Sequence, residues 1–113
     1  MLHTGGKMEI TINDVMSIFS KIGGVSGIAI ISQDGFIIES TLKDSINQDA
    51  LAALLATEFT RQQDLGREFN LNGLNQLSVE FNGGNLLLVN INQGLLAIFS
   101  EKQVFVTDLR DAV

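Results

Sequence analysis

The chain has no cysteine and only one histidine among its 113 residues. Without cysteine it has no disulfide framework, no thiolate zinc site and no cysteine nucleophile. The one histidine, His3, lies in an N-terminal stretch and has no second histidine with which to build a metal site. Serines such as Ser32 and Ser78 therefore lack a base that could activate them. This inventory predicts a protein that is not an enzyme and that has no catalytic residue, metal or cofactor.

Basic side chains are also in the minority. Seven Lys and Arg residues stand against thirteen Asp and Glu residues, which gives a net charge of −6. A nucleic-acid binder needs a cationic surface, and a negative protein is repelled by anionic bilayers. The longest apolar runs, such as residues 86–89, are far shorter than the roughly 20 residues that span a membrane. We therefore expect a cytoplasmic protein that binds neither nucleic acid nor membrane.

Hydrophobic residues make up 45% of the chain, and its mean hydropathy is +0.26. That much apolar surface predicts a folded chain, and the length is that of one ordinary domain. Residues 1–7 have neither the cationic start nor the apolar segment of a secretory signal. We expect residues 1–10 to form a flexible leader and residues 11–113 to form a single domain.

The first predicted elements are a helix and a β-hairpin. Residues 11–22 carry apolar side chains at helical spacing, with Thr11 or Asn13 as the cap. Two β-branched runs, 27–32 and 36–41, then flank Asp34-Gly35, which predicts a two-residue type I′ turn.

The predicted turn fixes the register of this hairpin, in which Ile31 faces Ile38 and Ile30 faces Glu39. One face of the hairpin would carry Ala29, Ile31, Phe36 and Ile38, and the other Ile28, Ile30 and Ile37. A sheet that is apolar on both faces needs helices on both sides.

The longest predicted helix covers residues 44–69, which contain no proline. Its cap is either Ser45, in a capping box, or Asn47. A stripe of bulky side chains consists of Leu51, Leu54, Leu55, Phe59, Leu65 and Phe69. A stripe of small side chains runs beside it and consists of Ala53, Ala56, Thr57 and Thr60. The small stripe either packs on the sheet or meets the same helix of a second copy of the chain.

Three more strands and a closing helix complete the predicted fold. Residues 77–82 alternate apolar and polar side chains, Gly83-Gly84 forms a turn, and residues 85–91 and 95–100 follow as strands. Apolar spacing predicts a helix over residues 102–113, although residues 104–107 are also β-prone. The sequence therefore predicts the α+β class, as a three-layer α/β/α sandwich. Its five-stranded sheet is antiparallel, and the element order is α-β-β-α-β-β-β-α.

Two motifs have more than one interpretation. The glycines of residues 23–27 precede a strand, whereas the phosphate loops of nucleotide-binding proteins follow a strand and open a helix, so nucleotide binding is not expected. The charged stretch that begins at Arg61 is either a solvated helix face with local ion pairs or the polar rim of a protein-binding surface, where arginine is favoured.

Residues 22–40 carry a family resemblance. Ile22-Gly23-Gly24-Val25-Ser26-Gly27 leads into the first strand, Asp34-Gly35 forms the turn, and the second strand ends near Ser40. This hairpin, with the long helix and three strands that follow, resembles the roadblock/LC7 family over residues 11–109. The resemblance implies homodimers or heterodimers whose sheets join edge to edge and whose long helices lie side by side.

The resemblance also implies a task. Roadblock proteins, including MglB-like regulators, dynein light chains and lysosomal scaffold subunits, serve as platforms for small Ras-like GTPases or motor subunits. We therefore expect a homodimeric regulator of a small Ras-like GTPase. The alternatives are a scaffold or adaptor subunit with no effect on GTP turnover, and a PAS- or GAF-like sensor of a small ligand. The expected interface residues are Ala53, Ala56, Thr57 and Thr60 for dimer contact and Arg61 for the partner.

Overall fold

The computed structural model describes residues 11–102, which form two helices and five strands. These are α1 (Ile12–Ser20), β1 (Val25–Ile31), β2 (Ile37–Ser40), α2 (Gln48–Glu68), β3 (Gln76–Phe81), β4 (Gly84–Asn90) and β5 (Leu95–Ser100). The predicted order of these elements is confirmed. The predicted leader, and all of the predicted closing helix except Lys102, lie outside the described residues.

The five strands form one antiparallel sheet in the order β2-β1-β5-β4-β3. Three of the four pairings join strands that follow one another along the chain. The fourth joins β1 to β5 in the middle of the sheet, where Ile28 lies opposite Ile98. The two edges of the sheet are therefore β2 and β3, and α2 connects one edge to the other. The antiparallel five-stranded sheet that the sequence predicts is confirmed.

The first hairpin differs from the predicted register by one residue at its turn. The Ser32 N–H donates to the Phe36 carbonyl, so three residues rather than two form the loop, and only Gly35 among them has a positive φ, of 94°. The predicted type I′ turn and the pairing of Ile31 with Ile38 are therefore wrong, since Ile31 pairs with Ile37. An irregularity in the next step absorbs the extra residue, and Ile30 pairs with Glu39 as predicted.

This irregularity also changes the face on which Ile37 lies. Ile28 and Ile30 pack on the α1 side of the sheet, whereas Ala29 and Ile31 pack on the α2 side. Ile37 joins the α2 side, and Phe36 is largely exposed. The predicted grouping of Ile37 with Ile28 and Ile30 is wrong, because side chains alternate along a strand and a one-residue shift moves them to the other face. The prediction that both faces of the sheet are covered is confirmed.

Each helix begins at a side-chain cap. In α1 the Asp14 N–H donates to Thr11 Oγ1 over 3.1 Å, and the Thr11 N–H donates to Asp14 Oδ2, so Thr11 is the cap and Asn13 is not. In α2 the Ala50 N–H donates to Asn47 Oδ1 over 3.1 Å. The long helix therefore begins at Gln48, as the Asn47 alternative predicts, and two residues later than the Ser45 capping box predicts.

The sheet-facing side of α2 consists of side chains at the spacing i, i+3, i+4 and i+7. They are Ala52, Leu55, Ala56 and Phe59, and all four are buried. The predicted bulky stripe is therefore only partly correct, because Leu54, Leu65 and Phe69 are exposed. A helix that rests on a flat sheet buries one narrow side, and large residues beyond that side remain in solvent.

The second hairpin turns one residue earlier than predicted. Phe81 pairs with Gly84, so the turn is Asn82-Gly83 and Gly84 is the first residue of β4. A Cβ on Gly84 would lie 2.5 Å from the Ser100 carbonyl oxygen, whereas nothing lies within 4 Å of a Cβ on Gly83. Gly84 is therefore needed for close approach of β4 to β5. The predicted strand over residues 95–100 is confirmed as β5.

Candidate protein-interaction surface

The five predicted interface residues come together beside the turn between β1 and β2. Ala53, Ala56, Thr57, Thr60 and Arg61 lie along α2, and with Gln33 and Asp34 of the turn they line a shallow groove of about 340 Å³. The turn and the helix are far apart in the sequence, and only the crossover from β2 to α2 brings them together. The groove is thus a product of the fold rather than of one sequence segment.

The small side chains of α2 let the turn approach the helix closely. A Cβ on Gly35 would lie 3.3 Å from Ala53 Cα and 3.5 Å from Ala56 Cβ. Ala56 is only 8% exposed and belongs to the buried side of α2, so it offers little surface to a second copy of the chain. Its place in a dimer contact stays a prediction. Ala53, Thr57 and Thr60 are exposed.

The groove offers polar groups of both charges. Arg61 has a side chain that is 74% exposed, and its Nη1 lies 3.7 Å from Glu58 Oε1, which is a long and solvated ion pair. Asp34 is exposed on the opposite wall of the groove. The Thr57 hydroxyl donates to the Ala53 carbonyl over 2.8 Å and keeps its oxygen lone pairs for other donors. These groups can recognise a protein surface by hydrogen bonds and charge.

A second, apolar part of α2 was missed by the sequence analysis. A helix advances about 100° per residue, so Leu54 and Leu65, eleven positions apart, project in nearly the same direction. Their exposed fractions are 69% and 53%. They project roughly 100–140° around the helix axis from Ala53 and Thr60. The spacing of Leu54 and Leu65 could have indicated an exposed apolar side of α2. The prediction instead places both residues in the buried stripe.

Exposed apolar side chains continue beyond α2. Phe69 and Leu71 follow directly after the helix, and Phe81 lies at the end of the edge strand β3, where it is 59% exposed. Exposed apolar side chains that adjoin one another are typical of a protein-binding site, and Leu54 and Leu65 share one direction on α2. We call Leu54, Leu65, Phe69, Leu71 and Phe81 the apolar set.

Among residues 11–102, no three His, Cys, Asp or Glu side chains are grouped so that they could hold a metal ion. In the same part of the chain, neither helix has the length and apolar character needed to cross a membrane.

Comparison with known proteins gives one family and several distant relatives. The Roadblock/LC7 domain family model matches residues 11–100. The uncharacterized protein MJ0714 of Methanocaldococcus jannaschii is 26% identical over 97 residues, which cover 86% of this chain and 82% of that protein.

Two solved structures have a similar fold. The Roadblock/LC7 domain from Streptomyces avermitilis superposes with a TM-score of 0.76 at 17% identity, covering 86% of this chain and 82% of that one. Myxococcus xanthus MglB superposes with a TM-score of 0.72 at 16% identity, covering 78% of this chain and 73% of that one. At such low identity the similarity to these two structures shows the fold of the chain alone.

Proposed function

This chain belongs to the Roadblock/LC7 domain family, whose model matches residues 11–100, and from that premise we propose that it is a non-catalytic homodimeric regulator of a small Ras-like GTPase. The observation that carries the proposal is the exposed face of α2, which offers apolar leucines and a polar groove within a fold that has the architecture of MglB. The role of a GTPase platform is the one that the family resemblance implies.

In the proposed dimer, two copies join through β3 and α2. The other edge strand, β2, has four residues and an irregular register, whereas β3 has six residues and pairs regularly with β4. A regular edge strand has a row of free backbone groups that a second strand can pair with. The apolar set begins on α2 and ends on this edge, so the same dimer would cover both. Leu54, Thr57 and Leu65 lie on the outward side of α2, and Arg61 projects within about 40° of each of them, so in this proposal the dimer contact borders the groove.

The GTPase would bind where the groove remains open. The Arg61 side chain is 74% exposed, and within residues 11–102 its one ion pair is the long contact with Glu58, so it can pair with a partner at small cost. Arginine is among the residues that contribute most at protein interfaces. In this proposal Arg61 and Asp34 orient the GTPase on the dimer, and the residues of the GTPase itself catalyse the hydrolysis of GTP.

The test is binding and hydrolysis with a small Ras-like GTPase from the same organism. The purified chain is added to the GTPase loaded with GDP or with a non-hydrolysable GTP analogue, and affinity is measured by calorimetry. GTP turnover is then followed with and without the chain. Tighter binding to the GTP form and a change in turnover are expected. A failure to bind the GTPase in either state would contradict the proposal.

The same measurements distinguish the two alternatives. A scaffold or adaptor subunit would bind the GDP and GTP forms equally and leave turnover unchanged. A PAS- or GAF-like sensor needs a ligand cavity enclosed at the centre of the domain, but Leu87 and Leu88 on the two faces of β4 are 0% exposed within packed clusters. Tight packing at the centre of the sheet is evidence against an enclosed cavity of that kind.

A further inference from the structure

A second concave site lies at the other end of the α2 side of the sheet. It is a pocket of about 340 Å³ between the start of β1, the end of β5 and the segment that leads into α2. Its walls are mainly apolar and come from Leu42, Ile46, Leu51 and Phe99, and its polar side chains are those of Ser26 and Lys43. None of these residues lines the groove at Arg61. The pocket is thus independent of the surface in the proposed function.

The pocket is held open by contacts at its base. A Cβ on Gly27 would lie 2.8 Å from Leu42 Cδ2, so Leu42 rests directly on the backbone of β1. The segment that carries Leu42 is anchored by Thr41, whose N–H donates to the Ile28 carbonyl over 2.9 Å and whose Oγ1 accepts from the Ile28 N–H over 3.0 Å. Because Leu42, Leu51 and Phe99 also pack against the α2-side core, the apolar walls are fixed before any ligand binds.

The charges around the pocket select the kind of ligand. Lys43 is the only charged residue of the lining, and within residues 11–102 it forms no ion pair. The chain as a whole is acidic, so a cation beside an apolar pocket runs against its general composition. Sites for small molecules have mainly apolar walls and a few polar groups that orient the ligand. A ligand with an apolar chain and an anionic end would match both the apolar walls and the positive charge of Lys43.

We propose that this pocket binds a free medium-chain carboxylic acid. Its aliphatic chain lies against Leu42, Leu51 and Phe99, and its carboxylate pairs with the ammonium group of Lys43, with the Ser26 hydroxyl as a second donor. The volume is near the lower limit for ligand pockets, roughly 300 Å³, which favours a chain of moderate length over a long lipid. This inference does not depend on the GTPase, because the pocket and the groove share no residue.

The first experiment varies the length of the chain. Hexanoate, octanoate and decanoate are titrated into the ¹⁵N-labelled full chain below their micelle concentrations, and amide shifts are followed by NMR. Affinity should rise about fourfold for each added methylene until the pocket is full. Shifts should be largest at Ser26, Gly27, Lys43 and Phe99. Affinity that does not depend on chain length, or shifts centred on the apolar set, would overturn the proposal.

The second experiment tests the anion and the location. Octanoate should bind about two- to fivefold more tightly than 1-octanol, and Lys43→Gln should remove that preference while leaving 1-octanol unchanged. Ser26 is exposed, so Ser26→Phe can block the mouth of the pocket without disturbing the core, and it should abolish binding of both compounds. Lys21→Gln, at the end of α1 and on the other side of the sheet, is the matched control and should behave as wild type. Equal affinity of wild type for acid and alcohol, or undiminished binding to a folded Ser26→Phe variant, would overturn the proposal.

Discussion

Gly35 in the turn between β1 and β2 lies directly against Ala53 of α2, since a Cβ on the glycine would be 3.3 Å from Ala53 Cα. The same glycine has a φ of 94°, which side-chain-bearing residues rarely adopt. Two requirements therefore meet at one position: a backbone conformation and a short distance. Together they place the turn at the wall of the groove that we propose as the GTPase site.

Gly35→Ala is expected to destabilise the protein by about 1–3 kcal/mol, because alanine at this φ is strained and its Cβ is pressed against α2. Urea denaturation gives the free energy of unfolding. Gly73→Ala is the control, since nothing lies within 4 Å of its added Cβ and its φ is not in the left-handed region, so its change should stay within about 0.5 kcal/mol. Equal stabilities of the two variants would show that Gly35 is not constrained.

Gly84→Ala and Gly83→Ala form a second matched pair in the turn between β3 and β4. Alanine at Gly84 is expected to cost about 1–3 kcal/mol, because its Cβ would be 2.5 Å from the Ser100 carbonyl oxygen and β4 would have to move away from β5. Alanine at Gly83 meets no atom within 4 Å and should be nearly neutral. Thermal unfolding followed by circular dichroism compares the two. If both variants unfold at the wild-type temperature, the close approach of the strands is not as described.

The sequence predicts the elements well because their signals are local. Thr11, Asn47 and the glycines mark ends, and apolar periodicity separates helices from strands. The register of the first hairpin was not predictable, since Asp34-Gly35 fits both a two-residue turn and a three-residue loop, and only the pairing of Ile31 with Ile37 decides between them. Ile30 pairs with Glu39 in the predicted register and in the structure. The irregularity in the strand compensates for the extra residue of the loop, so this pair alone does not reveal the difference.

Only part of the candidate site could be predicted from the sequence, for a similar reason. The small residues of α2 are visible in the sequence, but Ala56 and Thr57 are neighbours with opposite environments, one buried and one exposed. Which side of a helix faces the sheet depends on rotation by a fraction of a turn, and a helix with apolar residues on several sides does not specify it. Leu54 and Leu65 were therefore assigned to the core although they are exposed.

Asn47→Ala tests where α2 begins. Its side chain accepts from the Ala50 N–H, so removal should cost about 1 kcal/mol of unfolding free energy. Ser45→Ala removes the alternative cap and should change stability by less than about 0.5 kcal/mol, because Ser45 is exposed and two residues before the cap. Both values come from urea denaturation. A larger loss for Ser45→Ala than for Asn47→Ala would move the start of α2 to the earlier capping box.

Thr57→Arg and Leu54→Arg test the proposed dimer. Both residues are exposed, so the fold should survive, but two large cations would face each other across two packed α2 helices. Analytical ultracentrifugation is expected to give a dimer for wild type and a monomer for each variant. Ser17→Arg, on an exposed position of α1, should remain a dimer. A wild-type sedimentation coefficient for both α2 variants with an intact circular dichroism spectrum would place the interface elsewhere.

Arg61→Ala separates a role in binding from a role in stability. The contact with Glu58 is long and exposed, so its loss should change the free energy of unfolding by less than about 0.5 kcal/mol. If Arg61 contacts the GTPase, affinity for the GTP form should fall by at least about fivefold, the lower limit for a residue that matters at an interface. Arg67→Ala is the control, because Arg67 is also exposed but pairs with Asp64 over 2.6 Å and does not line the groove. Calorimetry on both variants decides the matter: wild-type affinity for Arg61→Ala together with weakened binding for Arg67→Ala would move the GTPase from the groove to the end of α2.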